Sequence, residues 1–174
     1  MLVRLLYASR AVDGKLCDVV QSVMQQSREH NPQHGITGIL CHSDQVFMQV
    51  LEGGREAINT LYGHIMRDPR HTDVVLLHYE EINERRYAGW TMGQANLGKI
   101  NPSIMLKYSA LPELNPHNMS GKMSLALIEE LMASAAIVGR AYTIICPHLA
   151  AYRNKKAGNP AFLFLGIDSY FATS

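Results

Sequence analysis

Two residues stand out because their chemistry is at odds with their positions. Tyr7 lies in Leu2-Val3-Arg4-Leu5-Leu6-Tyr7-Ala8 and Gln49 in Phe47-Met48-Gln49-Val50-Leu51. Alternation along a strand puts Tyr7 on a face with Val3 and Leu5, and Gln49 on a face with Phe47 and Leu51, so both polar groups point at a core. An unpaired buried carboxamide costs about 1 to 3 kcal/mol. Gln49 therefore needs a partner, either the phenol of Tyr7 or a ligand held against the sheet. The chemistry on offer is hydrogen bonding: a phenol that donates, and a carboxamide with one donor end and one acceptor end. An ordinary core tyrosine beside a satisfied buried glutamine has the same signature.

Other candidates read individually as structural. Asn31 before Pro32 is a helix-terminating turn residue, His64, Arg67 and Asp68 form a solvated helix end, and Trp90 and Met92 are core residues. His30 and His34 are four apart, but Pro32 between them prevents the helical turn that would aim both rings at one metal. No metal site is expected. The signatures GxSxG, GxxxxGK[ST], HExxH and GxGxxG are all missing despite 13 glycines.

The elements that must position these groups follow from periodicity. Leu2 to Ala8, apolar on both faces, reads as a central strand. Leu16, Val19, Val20 and Val23 at helical spacing predict a helix over 15–29, ended by His30-Asn31-Pro32. Residues 35–42 and 45–52 form a hairpin across Ser43-Asp44, and Gly53-Gly54 leads into a helix over 55–67 that stops before Asp68-Pro69-Arg70. A strand over 74–79 follows, then a fifth over 87–94 in which Trp90 and Met92 share a face. The order βαββαββ gives an α+β, ferredoxin-like five-stranded sheet with two helices on one face. Strands one and three, which carry Tyr7 and Gln49, are then neighbours in its middle. Beyond residue 95 two C-terminal helices are expected, the second from the apolar run Met123 to Val138. Leu106, Leu125, Leu127, Ile128, Leu131 and Ile137 would cover the sheet's other face.

The chain of 174 residues, 47% apolar and 18% charged, fits about one domain, and its net charge of +1 disfavours direct nucleic-acid binding. Cys17, Cys41 and Cys146 make neither a disulfide framework nor a thiolate zinc site, which suits a reducing cytoplasm. No secretory signal is evident at Met1. The longest uncharged apolar stretch, Ala141 to Tyr152, is too short for the roughly 20 residues of a membrane span.

Three stretches in register carry more than any single residue: Val3-Arg4-Leu5-Leu6-Tyr7-Ala8-Ser9, Asn31-Pro32-Gln33-His34-Gly35-Ile36-Thr37-Gly38-Ile39-Leu40 and Phe47-Met48-Gln49-Val50-Leu51-Glu52-Gly53. With Leu61-Tyr62, Asp68-Pro69-Arg70-His71 and Arg85-Arg86-Tyr87-Ala88-Gly89-Trp90-Thr91-Met92, they closely resemble the BLUF family of blue-light sensors that use flavin. Leu106-Lys107-Tyr108-Ser109 and the helix after it look like the cap of short, stand-alone members. The resemblance divides the chain into a flavin-binding domain over 1–95, a helical cap over 96–139 and a tail over 140–174 that matches nothing recognised.

The resemblance implies FAD between the two helices, with Tyr7 and Gln49 as the photochemical pair and Gln49 bridging the tyrosine and the flavin edge. A phenol can give an electron and a proton to an excited flavin and take both back, leaving Gln49 rotated or tautomerised. Asn31 would hydrogen-bond the ring, His30, His64, Arg67 and Asp68 would lie near the ring edges and the ribityl-phosphate tail, and Trp90 and Met92 would relay the signal. With no appended output domain expected in the last thirty-odd residues, output would pass to a separate effector protein. A cyclic-dinucleotide phosphodiesterase or a transcriptional regulator would fit the family. The apolar C-terminal helices suit a homo-oligomer. Two readings compete: a small flavin- or phosphate-ligand enzyme with His64 and Arg67 as acid-base or anion-binding groups, and a ligand-free interaction domain in which Tyr7 and Gln49 merely satisfy each other.

Overall fold

The computed structural model describes residues 1–139 except 13–15, 44–45, 114 and 135, so the expected tail over 140–174 lies outside the described residues. β1 (Leu2–Ala11), apolar on both faces, is flanked on both edges. It pairs antiparallel with β3 (Val46–Gly54) on one side and β4 (His71–Ile82) on the other. β2 (Thr37–His42) closes the hairpin with β3, and β5 (Gly93–Asn96) lies parallel to β2. The five-stranded order is β4-β1-β3-β2-β5, the ferredoxin-like arrangement with one added edge strand. Tyr7 and Gln49 face each other in the β1–β3 register.

The two faces of the sheet are covered differently. α1 (Leu16–His30) and α2 (Arg55–Ile65) lie on one face, where Val20 and Met24 of α1 and Ile58 of α2 bury against Val3, Leu5, Leu40, Phe47 and Leu51. α3 (Pro102–Leu106) and α4 (Gly121–Ala133) follow the sheet in the chain. Leu127, Ile128 and Leu131 of α4 cover Leu6, Ile39, Met48 and Val50 on the other face. Ser120 starts α4 as its N-cap, its hydroxyl accepting from the Met123 amide at 3.2 Å.

Five expectations need correction. The fifth strand begins at Gly93, not 87, because residues before it spend their backbone groups elsewhere. The Arg86 and Tyr87 amides go to the Glu52 carboxylate, and the Trp90 carbonyl takes the Gly38 amide. Trp90 and Met92 consequently lie on opposite sides of the sheet: Met92 packs with Tyr7 and Leu40, while Trp90 packs with the cluster around Leu127 and Ile137. β4 runs from 71 to 82 rather than 74 to 79, since pairing with β1 holds polar residues such as Thr72 and Glu81 in an edge strand. In the cap, Leu106 is 53% exposed and Met105 takes the buried place, and the last helix ends at Ala133. Among the described residues, no helix is long and apolar enough to cross a membrane.

Candidate functional site

The β1–β3 register brings the two conspicuous polar groups into contact. The Tyr7 hydroxyl donates to Gln49 Oε1 at 2.6 Å, and Gln49 Nε2 donates to Met92 Sδ at 3.2 Å. All three side chains are buried. A thioether only accepts, so Met92 can hold Gln49 by its NH₂ end and by no other. Burial, aided by the nearby Asp68 carboxylate and Tyr62, pushes the Tyr7 hydroxyl well above the ordinary phenol range against the opposing Arg70 charge. Tyr7 is thus a neutral donor at physiological pH.

Around this chain the elements supply further groups. Pro32 starts a 3-10 turn at Asn31–His34, which buries Asn31 at the end of α1 and lets its Nδ2 donate to the Thr91 carbonyl at 3.0 Å. The contact leaves Oδ1 of Asn31 to accept from another group. His30 closes α1, with Nδ1 2.9 Å from the Gln26 carbonyl. His64 is half-buried in the last turn of α2. Arg67 is exposed and its guanidinium lies back over Gly63. Asp68 is half-buried in the turn after α2. Burial works to raise its pKa, but bonds from Arg70 outweigh this and hold its carboxyl below the usual range.

Arg70 is a candidate that sequence reasoning overlooked. It binds both Asp68 oxygens, at 2.9 and 2.5 Å, and reaches Ser22 Oγ at 2.9 Å and Gln26 Oε1 at 3.2 Å on α1. One guanidinium therefore spans the mouth between α1 and the turn after α2. His71 beside it lies 2.9 Å from Ser9 Oγ through Nδ1 and meets the Phe47 ring edge-on. The motif Asp68-Pro69-Arg70-His71 contained the signal, but a charge pair after a helix end looks solvated until α1 is placed against it.

Glu52 anchors the loop that carries Trp90 and Met92. Its fully buried carboxylate binds Arg4 at 2.8 Å and accepts from the Arg86 and Tyr87 amides at 3.2 and 2.9 Å. Three residues along the same strand, Gln49 faces the opposite side of the sheet. β3 thus connects the polar chain on one face to the loop anchor on the other.

The donor set fits a flavin. A planar ring needs apolar walls with donors and acceptors along its edge, and its phosphate tail needs a cation. Leu40, Phe47, Ile58 and Leu61 would supply the walls and Gln49 and Asn31 the edge, and Arg70, held by Asp68, Ser22 and Gln26, would be the nearby cation. Comparison with known proteins points the same way. Residues 2–93 match the family described as BLUF, sensors of blue-light using FAD. A photoactivated adenylate cyclase subunit beta of Euglena gracilis is 38% identical over 95 residues, 54% of this chain but only 11% of that protein's length. The photo-activated state of BlsA matches with a TM-score of 0.69 and 25% identity, covering 82% of this chain and all of that one. The dark state of BlrB, a BLUF protein, gives a TM-score of 0.64 and 30% identity over 77% of this chain and 96% of that one.

Fold and site together define a flavin-based photosensory module on a ferredoxin-like sheet. The chain belongs to the BLUF family, sensors of blue light using FAD.

Proposed function

We propose that Tyr7 and Gln49 are the photochemical pair of this sensor, and that the chain turns over no substrate but passes its state to a separate effector protein. The observation that carries the reading is the continuous buried chain from the Tyr7 hydroxyl through Gln49 to Met92. Bound FAD supplies the light absorption and, when excited, the acceptor for an electron and a proton. Tyr7 holds the proton to be given and returned, fixed toward Gln49. If Gln49 turns end for end, Oε1 faces Met92 and the thioether loses its donor. The change is worth about 1 kcal/mol, small in size but enough to shift a two-state element several-fold.

Asn31 would hold the flavin ring edge, with His30 and His64 at its borders, and Asp68 and Arg70 would hold the tail. Arg67, lying back over Gly63, is the weakest member of that set. Met92 reads Gln49 directly, whereas Trp90 senses it from the other face through the same loop. The effector, by analogy with the cyclase subunit, would be a nucleotide-signalling enzyme such as a cyclic-dinucleotide phosphodiesterase, or a transcriptional regulator. A homo-oligomer and a cytoplasmic setting belong to the same reading; exposed Leu76 and Tyr79, which share a face of edge strand β4, offer apolar groups for self-association.

Visible spectra before and after a blue flash test the reading, with Gln49→Leu alongside. The expected result is a flavin spectrum that shifts slightly red without bleaching, recovers in darkness and stays unshifted in Gln49→Leu. A colourless protein that takes up no added FAD would overturn it.

A further inference from the structure

After α4 the chain returns to the sheet. The Ala136 amide bonds the Leu131 carbonyl at 3.1 Å to close the helix, and Val138 then pairs antiparallel with Gln94 of β5. Both bonds of the pair form, Gln94 N to Val138 O and Val138 N to Gln94 O, each at 2.9 Å. Ile137, only 6% exposed, fits a niche that exists because residue 93 has no side chain: a Cβ on Gly93 would stand 2.8 Å from Ile137 Cγ2 and 2.9 Å from the Trp90 ring. Gly139 adopts φ +89°, a conformation that favours glycine, and lies under Arg28 of α1, whose Nη2 would be 2.7 Å from a Cβ there. A cleft lined by Val20, Met24, Arg28 and Gln94 runs alongside.

We infer that the outer edge of β5 is a strand-docking site whose occupant is this chain's own Ile137–Gly139, and that light-driven loss of the Gln49–Met92 contact releases it. The light step rests on the function proposed above. Met92 directly precedes Gly93, the first residue of β5, so a displacement of the thioether reaches the docked segment within two residues. The attachment is slight enough to respond: one residue pair, two hydrogen bonds and one buried aliphatic side chain. Val138 itself is 61% exposed, so its pairing holds the segment without a core around it. Release would free the outward N–H and C=O of Gln94 on the edge of β5, groups of the kind that accept an added strand. The C-terminal end of α4 would be freed in the same event.

Amide hydrogen exchange of the full chain carrying FAD, in darkness and under steady blue light, tests this, with the visible spectrum recorded on the same samples. In the unaltered chain the Gln94 and Val138 amides are expected to be protected in the dark and to exchange at least about tenfold faster in the light. Gly93→Ala fills the niche, and Val138→Pro removes one of the two donors. Each is expected to retain the red shift yet exchange fast at Gln94 in the dark. An intact red shift with equal protection in dark and light overturns the release alone. An unaltered chain that binds FAD but shows no red shift overturns the photochemical reading and the switching together. Dark protection that survives both substitutions overturns the docking site itself.

Discussion

A phenol and a carboxamide sealed from water form a sensitive contact, because each hydrogen bond lost there goes unreplaced by solvent. Tyr7 and Gln49 were legible as a pair because strand alternation fixes which face a residue takes, and the ferredoxin-like order makes their strands adjacent. Met92 as the third member was not legible as such, since its contact with Gln49 depends on a loop path that periodicity misread as a strand. Close by, His71 gives a prediction in pH. Burial, with the Arg70 charge, lowers its pKa against the pull of Asp68. The unfolded chain takes up a proton near the ordinary histidine value of about 6.5, whereas the folded ring does so only at lower pH. The stability His71 confers as a neutral ring is therefore full above that value and is lost as pH falls through the folded pKa. Melting temperatures at pH 7.5 and 5.5 should fall more steeply for the unaltered chain than for His71→Gln; parallel slopes would show that the ring titrates normally.

On the proposed function, elements would convert the small change at Gln49 into something a neighbour can read. β3 has Gln49 on one face and Glu52 on the other, and Glu52 fixes the start of the loop that ends at Met92. Leaving a buried donor without its acceptor costs about 1 to 3 kcal/mol. Glu52→Ala, which leaves the Arg86 and Tyr87 amides without their acceptor and Arg4 with Glu80 as its remaining partner, is expected to destabilise the fold by at least that much, with Glu52→Gln milder. Denaturant midpoints measure both, and a change below about 1 kcal/mol for the alanine variant would mean that the loop has another anchor. The first two helices were readable from apolar spacing and from their ends at His30-Asn31-Pro32 and Asp68-Pro69-Arg70. The true extent of β4 and β5 was not, because edge pairing and side-chain capture of backbone amides are tertiary events without a local signal.

At the scale of the whole molecule, a sheet covered by α1 and α2 on one face and by α4 on the other puts the Tyr7–Gln49–Met92 chain and the Trp90 cluster on opposite sides of one layer. The apolar positions Leu127, Ile128, Leu131 and Ile137 announced this covering, while the strand pairing of Val138 with Gln94 left no trace in the sequence, since a single bridging residue has no period. The exposed Leu76 and Tyr79 on one face of β4 predict self-association. Sedimentation equilibrium should find a species larger than one chain that Leu76→Lys reduces, and a monomer at all concentrations would remove the homo-oligomer from the account. The central claim is that Tyr7 and Gln49, once FAD is bound, turn absorbed light into a changed hydrogen bond. Blue-flash difference spectra of Tyr7→Phe beside the unaltered chain test it most directly, because phenylalanine keeps the ring and removes only the donor. The account predicts that Tyr7→Phe binds FAD and shows no red shift. A Tyr7→Phe protein that shifts and recovers as the unaltered chain does would contradict it.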